Sequence, residues 1–197
     1  MGRSLKYFTP DKLKLSTTKP VIIYLLCAIN QKPVIFRHMN ITLESIGTIH
    51  TPFKEKEGMP IQSAAAQGVR GHIILNEKFT AGLTDLEGFS HIILLYYFHM
   101  SAGFDLQIIP FLDNTQHGVF ATRAPRRPNP IGISVVKLMS IQNNILNIEN
   151  TDMLDGTPLL DIKPYIKDFD VHEIQRSGWL EDNANKLKKI KSDKRFN

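Results

Sequence analysis

Residues 90–98, SHIILLYYF, constrain the fold more than any other stretch of this chain. The run is almost continuously apolar and rich in β-branched and aromatic side chains. It reads as a strand buried on both faces, or as the centre of a closed sheet. Shorter stretches of similar character surround it. An alternating strand begins at Ile41-Thr42-Leu43 and continues through Ile46 and Ile49. Residues 71–75, 118–122, 131–138, 145–149 and 159–163 predict further strands. Turn chemistry separates them at Asn143-Asn144 and Asp155-Gly156. A helix is expected around residues 83–88, and another from Glu181 into the lysine-rich end. Short strands, few helices and no internal repeat predict a mainly β fold, a barrel or a sandwich.

Charge divides the chain into three zones. Residues 1–38 carry seven Lys or Arg and one acid, residues 39–185 carry eleven basic and seventeen acidic side chains, and residues 186–197 carry six basic and one acidic. The basic pI of 9.3 is therefore a property of the two ends. RNA contact by the middle zone would have to come from local arginines and from the end segment. Residues 1–38, punctuated by Pro10, Pro20 and Pro33, show no sustained period and predict a poorly ordered extension. A patterned domain is expected over 39–185, starting at Met39, followed by a basic tail over 186–197.

Several chemistries are disfavoured. No segment approaches the roughly 20 apolar residues that span a bilayer, so no membrane partner is expected. The run 21–29 is short and is not clearly followed by a cleavage site. Cys27 is the lone cysteine, which excludes an intrachain disulfide and any cysteine-cluster zinc site and fits a reducing cytoplasm. No two glycines stand two apart, so the dinucleotide and Rossmann methyltransferase fingerprint is missing, as is a phosphate-binding P-loop. His91 and His99 lie eight apart on one expected strand. Histidines on a buried strand more often serve the core than a metal, so no metal is expected.

Three stretches carry the chemistry. In GVFATRAPRRPNPIGIS, residues 118–134, Arg123, Arg126 and Arg127 sit among Pro125, Pro128 and Pro130. Proline fixes φ and donates nothing to a ladder, so the loop is stiff and lies outside the strands. It is either a rigid turn with solvated arginines or a pre-organised set of guanidinium forks for carboxylate or phosphate. Gly132 then permits a close backbone approach. In DMLDGTPLLDIKPY, residues 152–165, Asp152, Asp155 and Asp161 offer more acid than a turn needs. In Tyr96-Tyr97-Phe98-His99, aromatic rings at the end of the buried strand either pack the core or stack an adenine.

With IGTIHTPFKEKEGMPIQ (46–62) and LEGFSHIILLYYFH (86–99), these motifs resemble the TrmO (TsaA-like, YaeB-like) family in order and spacing over about residues 41–180. The resemblance implies a single-sheeted antiparallel β-barrel with few short helices, usually a homodimer, that binds S-adenosyl-L-methionine without a Rossmann domain. It also implies methylation of N(6) of threonylcarbamoyl-adenosine next to the anticodon of tRNA, in the cytoplasm. Carried over by motif, cofactor contacts fall on Pro60, Ile61 and Gln62, on Phe98 and His99, on Arg123 and Ile133, and on Asp152, Met153, Leu154 and Asp155. Some members have Arg where Ile61 stands, so this chain lacks a charged contact there. Arg126, Arg127 and Asn129 are expected to meet the RNA. The accepting nitrogen is amide-like and needs a base, for which Asp155 and His99 are the two candidates.

Overall fold

A computed structural model describes residues 40–181, 183 and 190–196. The chain divides into two units, Met1–Ile41 and Thr42–Asn197, and every strand named below belongs to the second. The expected extension over 1–38 lies outside the described residues.

Six antiparallel strands close into a barrel. They are β1 (Gly47–His50), β2 (Arg70–Leu75), β3 (His91–Tyr97), β6 (Ile131–Gln142), β7 (Ile145–Glu149) and β8 (Thr157–Pro164), in the order β1-β2-β7-β6-β3-β8. A separate ribbon pairs β4 (Gln107–Ile108) with β5 (His117–Gly118). Closure rests on β1 pairing with β8, Gly47 opposite Leu159, which leaves the barrel without an unpaired edge.

Alternation explains which side chains fill the barrel. Ile92, Leu94 and Tyr96 of β3 point inward with Val136 and Leu138 of β6, Ile73 and Leu75 of β2, Leu146 and Ile148 of β7, Ile49 of β1 and Leu159 of β8. Each fully buried Leu or Ile contributes about 1.5–3 kcal/mol of transfer free energy. The run 90–98 is thus buried on one face only. The intervening Ile93 and Leu95 are half-buried and Tyr97 is exposed. What the apolar run marks is a central position, between β6 and β8.

Other expectations shift. The alternating stretch from Ile41 becomes a strand only at Gly47. The strand expected over 118–122 ends at Gly118 and turns into a 3-10 helix, Val119–Ala121. There both the amide and the hydroxyl of Thr122 donate to the Val119 carbonyl, a local alternative to a ladder. The helix expected at 83–88 is two 3-10 segments, Glu77–Leu83 and Leu86–Gly88, on either side of Asp85 at φ 64°. A four-residue helix, α1 (Lys167–Asp170), follows β8. The helix expected from Glu181 lies largely outside the described residues.

The described part of the basic end, residues 190–196, packs against the body. Lys191 bridges Pro60. The Ser192 amide donates to the Met59 carbonyl (2.9 Å), and the Gly58 amide donates to the Ser192 carbonyl (2.9 Å). Phe196 is buried with Ile108 and Ala124, its ring edge-on to Phe111 at 5.0 Å.

Candidate ligand cavity

A cavity of about 770 Å³ opens beside the Tyr96 end of β3, within the usual range of small-molecule sites. Five remote segments wall it. Pro60, Ile61 and Gln62 come from the loop after β1, Phe98 and His99 from the end of β3, and Arg123 from the proline-rich loop. Ile133 comes from β6, and Asp152, Met153 and Leu154 from the turn before β8. The carboxyl-terminal segment adds Ser192, Asp193 and Phe196.

Local structure explains each placement. The Phe98 amide donates to the Pro130 carbonyl at 2.8 Å, and the Phe98 ring stands edge-on to Tyr96 at 5.4 Å. This ties the end of β3 to the proline-rich loop. Tyr96 lies directly across the ladder from Gly132. Any Cβ at Gly132 would overlap the Tyr96 ring, so glycine is required there for close approach. The Thr51 hydroxyl donates to the Met153 carbonyl (2.8 Å) and the Thr157 hydroxyl to the Leu154 carbonyl (2.7 Å), which fixes the aspartate-bearing turn.

The three arginines part company. Arg123 donates to Gln62 Oε1 at 3.0 Å, joining two cavity walls. Arg127 also lines the cavity, but its guanidinium fastens the loop to itself through the Thr122 and Ala124 carbonyls. Arg126 pairs with Asp105 at 2.7 Å and is not part of the lining. Asn129 is exposed, also off the lining.

The two neighbouring aspartates differ sharply. Asp155 is not part of the lining. It accepts from Lys54 Nζ (2.6 Å) and the Thr51 amide (3.1 Å), and its other contact is His50 Nδ1 at 3.2 Å. The Lys54 hydrogen bond, with smaller help from Thr51 and His50, holds its carboxyl down at about 2. Asp152 lines the cavity and accepts from Ser134 Oγ at 2.7 Å. Ser134 Oγ lies 3.0 Å from the Tyr96 hydroxyl. Because Ser134 gives its single proton to Asp152, Tyr96 donates to Ser134. Burial pushes the Asp152 carboxyl up to about 6, against the opposing effects of Ser134 and Arg123. Burial, then the Asp152 charge, push the Tyr96 hydroxyl up. Burial pushes the His99 imidazole down.

A family profile described as the tRNA-methyltransferase O N-terminal domain matches residues 48–171. The chain belongs to the TrmO family. It is 55% identical, over 77% of its length and 82% of the relative's, to a probable S-adenosyl-L-methionine-binding protein of Pyrococcus abyssi. It is 39% identical to the tRNA (adenine(37)-N6)-methyltransferase of Escherichia coli, covering 62% of this chain and 57% of that enzyme. Its fold matches a crystal structure of TrmO from Pseudomonas aeruginosa with a TM-score of 0.61 and 38% identity, over 72% of this chain and 63% of that one. The closed antiparallel barrel is thus a TrmO barrel, as the motifs led one to expect. The chain spans under two thirds of the two proteins that carry the methyltransferase and TrmO names.

Sequence reasoning missed the carboxyl-terminal wall. Six basic residues among residues 186–197 read as a basic tail for RNA contact. The usable signal was Phe196, a lone aromatic residue that a freely solvated segment has no use for.

Proposed function

We propose that the cavity binds S-adenosyl-L-methionine and that the chain transfers its methyl group to N(6) of an adenosine in tRNA, with threonylcarbamoyl-adenosine beside the anticodon as the acceptor. One observation carries the reading. Ten of the eleven residues expected to touch the cofactor, all but Asp155, line one cavity although they come from five separate segments. The names of the Pyrococcus abyssi and Escherichia coli relatives support the same cofactor and reaction.

The chemistry suits the walls. Apolar Ile61, Phe98, Ile133 and Leu154 suit an adenosine ring, while Gln62, Arg123 and Asp152 supply the few polar groups that fix orientation. A sulfonium donor needs no metal, and in-line displacement depends on positioning and electrostatics. Among the described residues no group of three or more His, Cys, Asp or Glu is placed to hold a metal. Arg126 and Asn129, off the cavity, are assigned to the RNA backbone, as are Lys191 and Lys194. Exposed Tyr97 and Ile131, opposite one another on β3 and β6, support a homodimer through that apolar strip. A tRNA substrate and a single cysteine support a cytoplasmic site of action.

Purified protein, labelled cofactor and tRNA from a strain lacking the endogenous activity provide the test, read by nucleoside mass analysis. Methylated threonylcarbamoyl-adenosine is the expected product. Cofactor binding without any methylated nucleoside would reduce the chain to a binding module, and methyl transfer to a different acceptor would move the substrate.

A further inference from the structure

Asp152 is the one carboxylate that the barrel strands hold against the cavity, fixed in a chain of hydrogen bonds that nothing in cofactor binding alone requires. Tyr96 donates to Ser134 (3.0 Å) and Ser134 donates to Asp152 Oδ1 (2.7 Å). Tyr96 and Ser134 are both buried, at 5% and 4% exposure, and they sit on adjacent strands. The carboxylate, carried on the turn before β8, is therefore held by a buried pair of barrel side chains, with the Ser63 main chain of the loop after β1 also hydrogen-bonded to it. Among the described residues no cation comes within ion-pair distance of it. Arg123, in the same cavity lining, and the Tyr96 hydroxyl are the titratable groups that act on it. His99 lines the same cavity, but among the described residues its imidazole makes no side-chain hydrogen bond that would fix its tautomer or direction.

Resting on the methyltransferase reading above, we propose that Asp152 is the proton acceptor of the transfer, in place of Asp155 or His99. The acceptor nitrogen's electron pair forms the new C–N bond. The C–S bond breaks with its pair going to sulfur, which turns the sulfonium into a neutral thioether, and the N–H proton passes to an Asp152 carboxylate oxygen. Atoms and charges balance: one cation and one anion in the cavity become two neutral groups. In an enclosed site of low dielectric, that loss of charge separation favours the forward direction. Burial, which works against the charged carboxylate, works in the same sense.

The test compares wild type with Asp152→Asn by single-turnover methyl transfer to tRNA from pH 5 to 9, with cofactor affinity measured by calorimetry. The base must be ionised, so the wild-type rate should fall with falling pH, through a midpoint below the value of about 6 of the carboxyl alone, because the sulfonium beside it favours the charged form. At saturating cofactor D152N should lose about 100-fold or more in rate and lose the acidic limb, a loss well beyond any weakening of cofactor Kd that removal of one polar contact brings. Ser134→Ala removes a hydrogen bond that stabilises the anion, so its acidic limb should move to higher pH. This second variant decides the matter if D152N does not fold. A D152N rate within about tenfold of wild type, a rate loss matched by weakened cofactor binding, or an unmoved limb in S134A would each overturn the assignment. A wild-type protein that methylates no tRNA would refute the functional reading itself, and this assignment with it.

Discussion

Replacing Phe196 by alanine tests whether residues 190–196 are a working wall of the cavity. Phe196 is 8% exposed, packed on Ile108, Ala124 and Phe111. Burial of a Phe side chain is worth about 1.5–3 kcal/mol. The main-chain oxygen that accepts from Lys56 survives the substitution, so the loss is confined to apolar contact. A loss of about 2 kcal/mol lowers the ratio of docked to undocked segment roughly 30-fold. If only the docked form completes the site, apparent cofactor affinity falls by the docked fraction, about 3- to 30-fold. Phe196 lies outside the barrel cluster, so the melting temperature should move by no more than about 3 °C. Calorimetric titration and a melting curve on the same preparation give both numbers. A large drop in melting temperature with unchanged cofactor affinity would refute the reasoning and make the segment a structural strut.

The barrel and its charges set four further expectations. Leu94→Ala, at a fully buried position, should destabilise the fold by about 2–5 kcal/mol in denaturant titration. Gly132→Ala forces Tyr96 to move, so it should slow methyl transfer and lower the melting temperature together. Asp155 has a folded pKa depressed to about 2, chiefly by Lys54; its contribution to stability is therefore present above the unfolded value of about 4 and is lost as pH falls from about 4 to 2. Lys54→Met should lower the melting temperature slightly at neutral pH and leave it unchanged below that window, flattening the acid side of a melting-temperature profile. Cofactor binding should persist in excess chelator, and abolished binding on calorimetry would reveal a metal requirement.

The strand pattern was legible because one face of each strand is core and the other is not; it left barrel or sandwich open, and the family resemblance supplied the barrel. The spacing of Ile92 and Leu94 on β3 recurs in Leu146 and Ile148 on β7, and so around the sheet. The cavity was legible through motifs whose residues converge. Three features were not. Whether Asp152 or Asp155 enters the cavity depends on a turn with Gly156 at φ 75°, and two aspartates three residues apart look alike in a string. Arg123, Arg126 and Arg127 look equivalent, but their roles are set by Gln62, by Asp105 and by the loop's own carbonyls. The 3-10 turns carry no period to read, since each is too short to repeat one.

The pairing of β1 with β8, Gly47 opposite Leu159, also orders the birth of the protein. A chain emerging from the ribosome makes β1 before every other barrel strand, yet that strand's second neighbour does not exist until Thr157–Pro164 has followed. For all that time the growing sheet has a bare edge and an uncovered apolar inner face, the condition that invites mispairing and chaperone attention. The ligand cavity waits longer still, for residues 190–196. A nascent chain that has not reached them can close its barrel and still be unable to enclose the ligand.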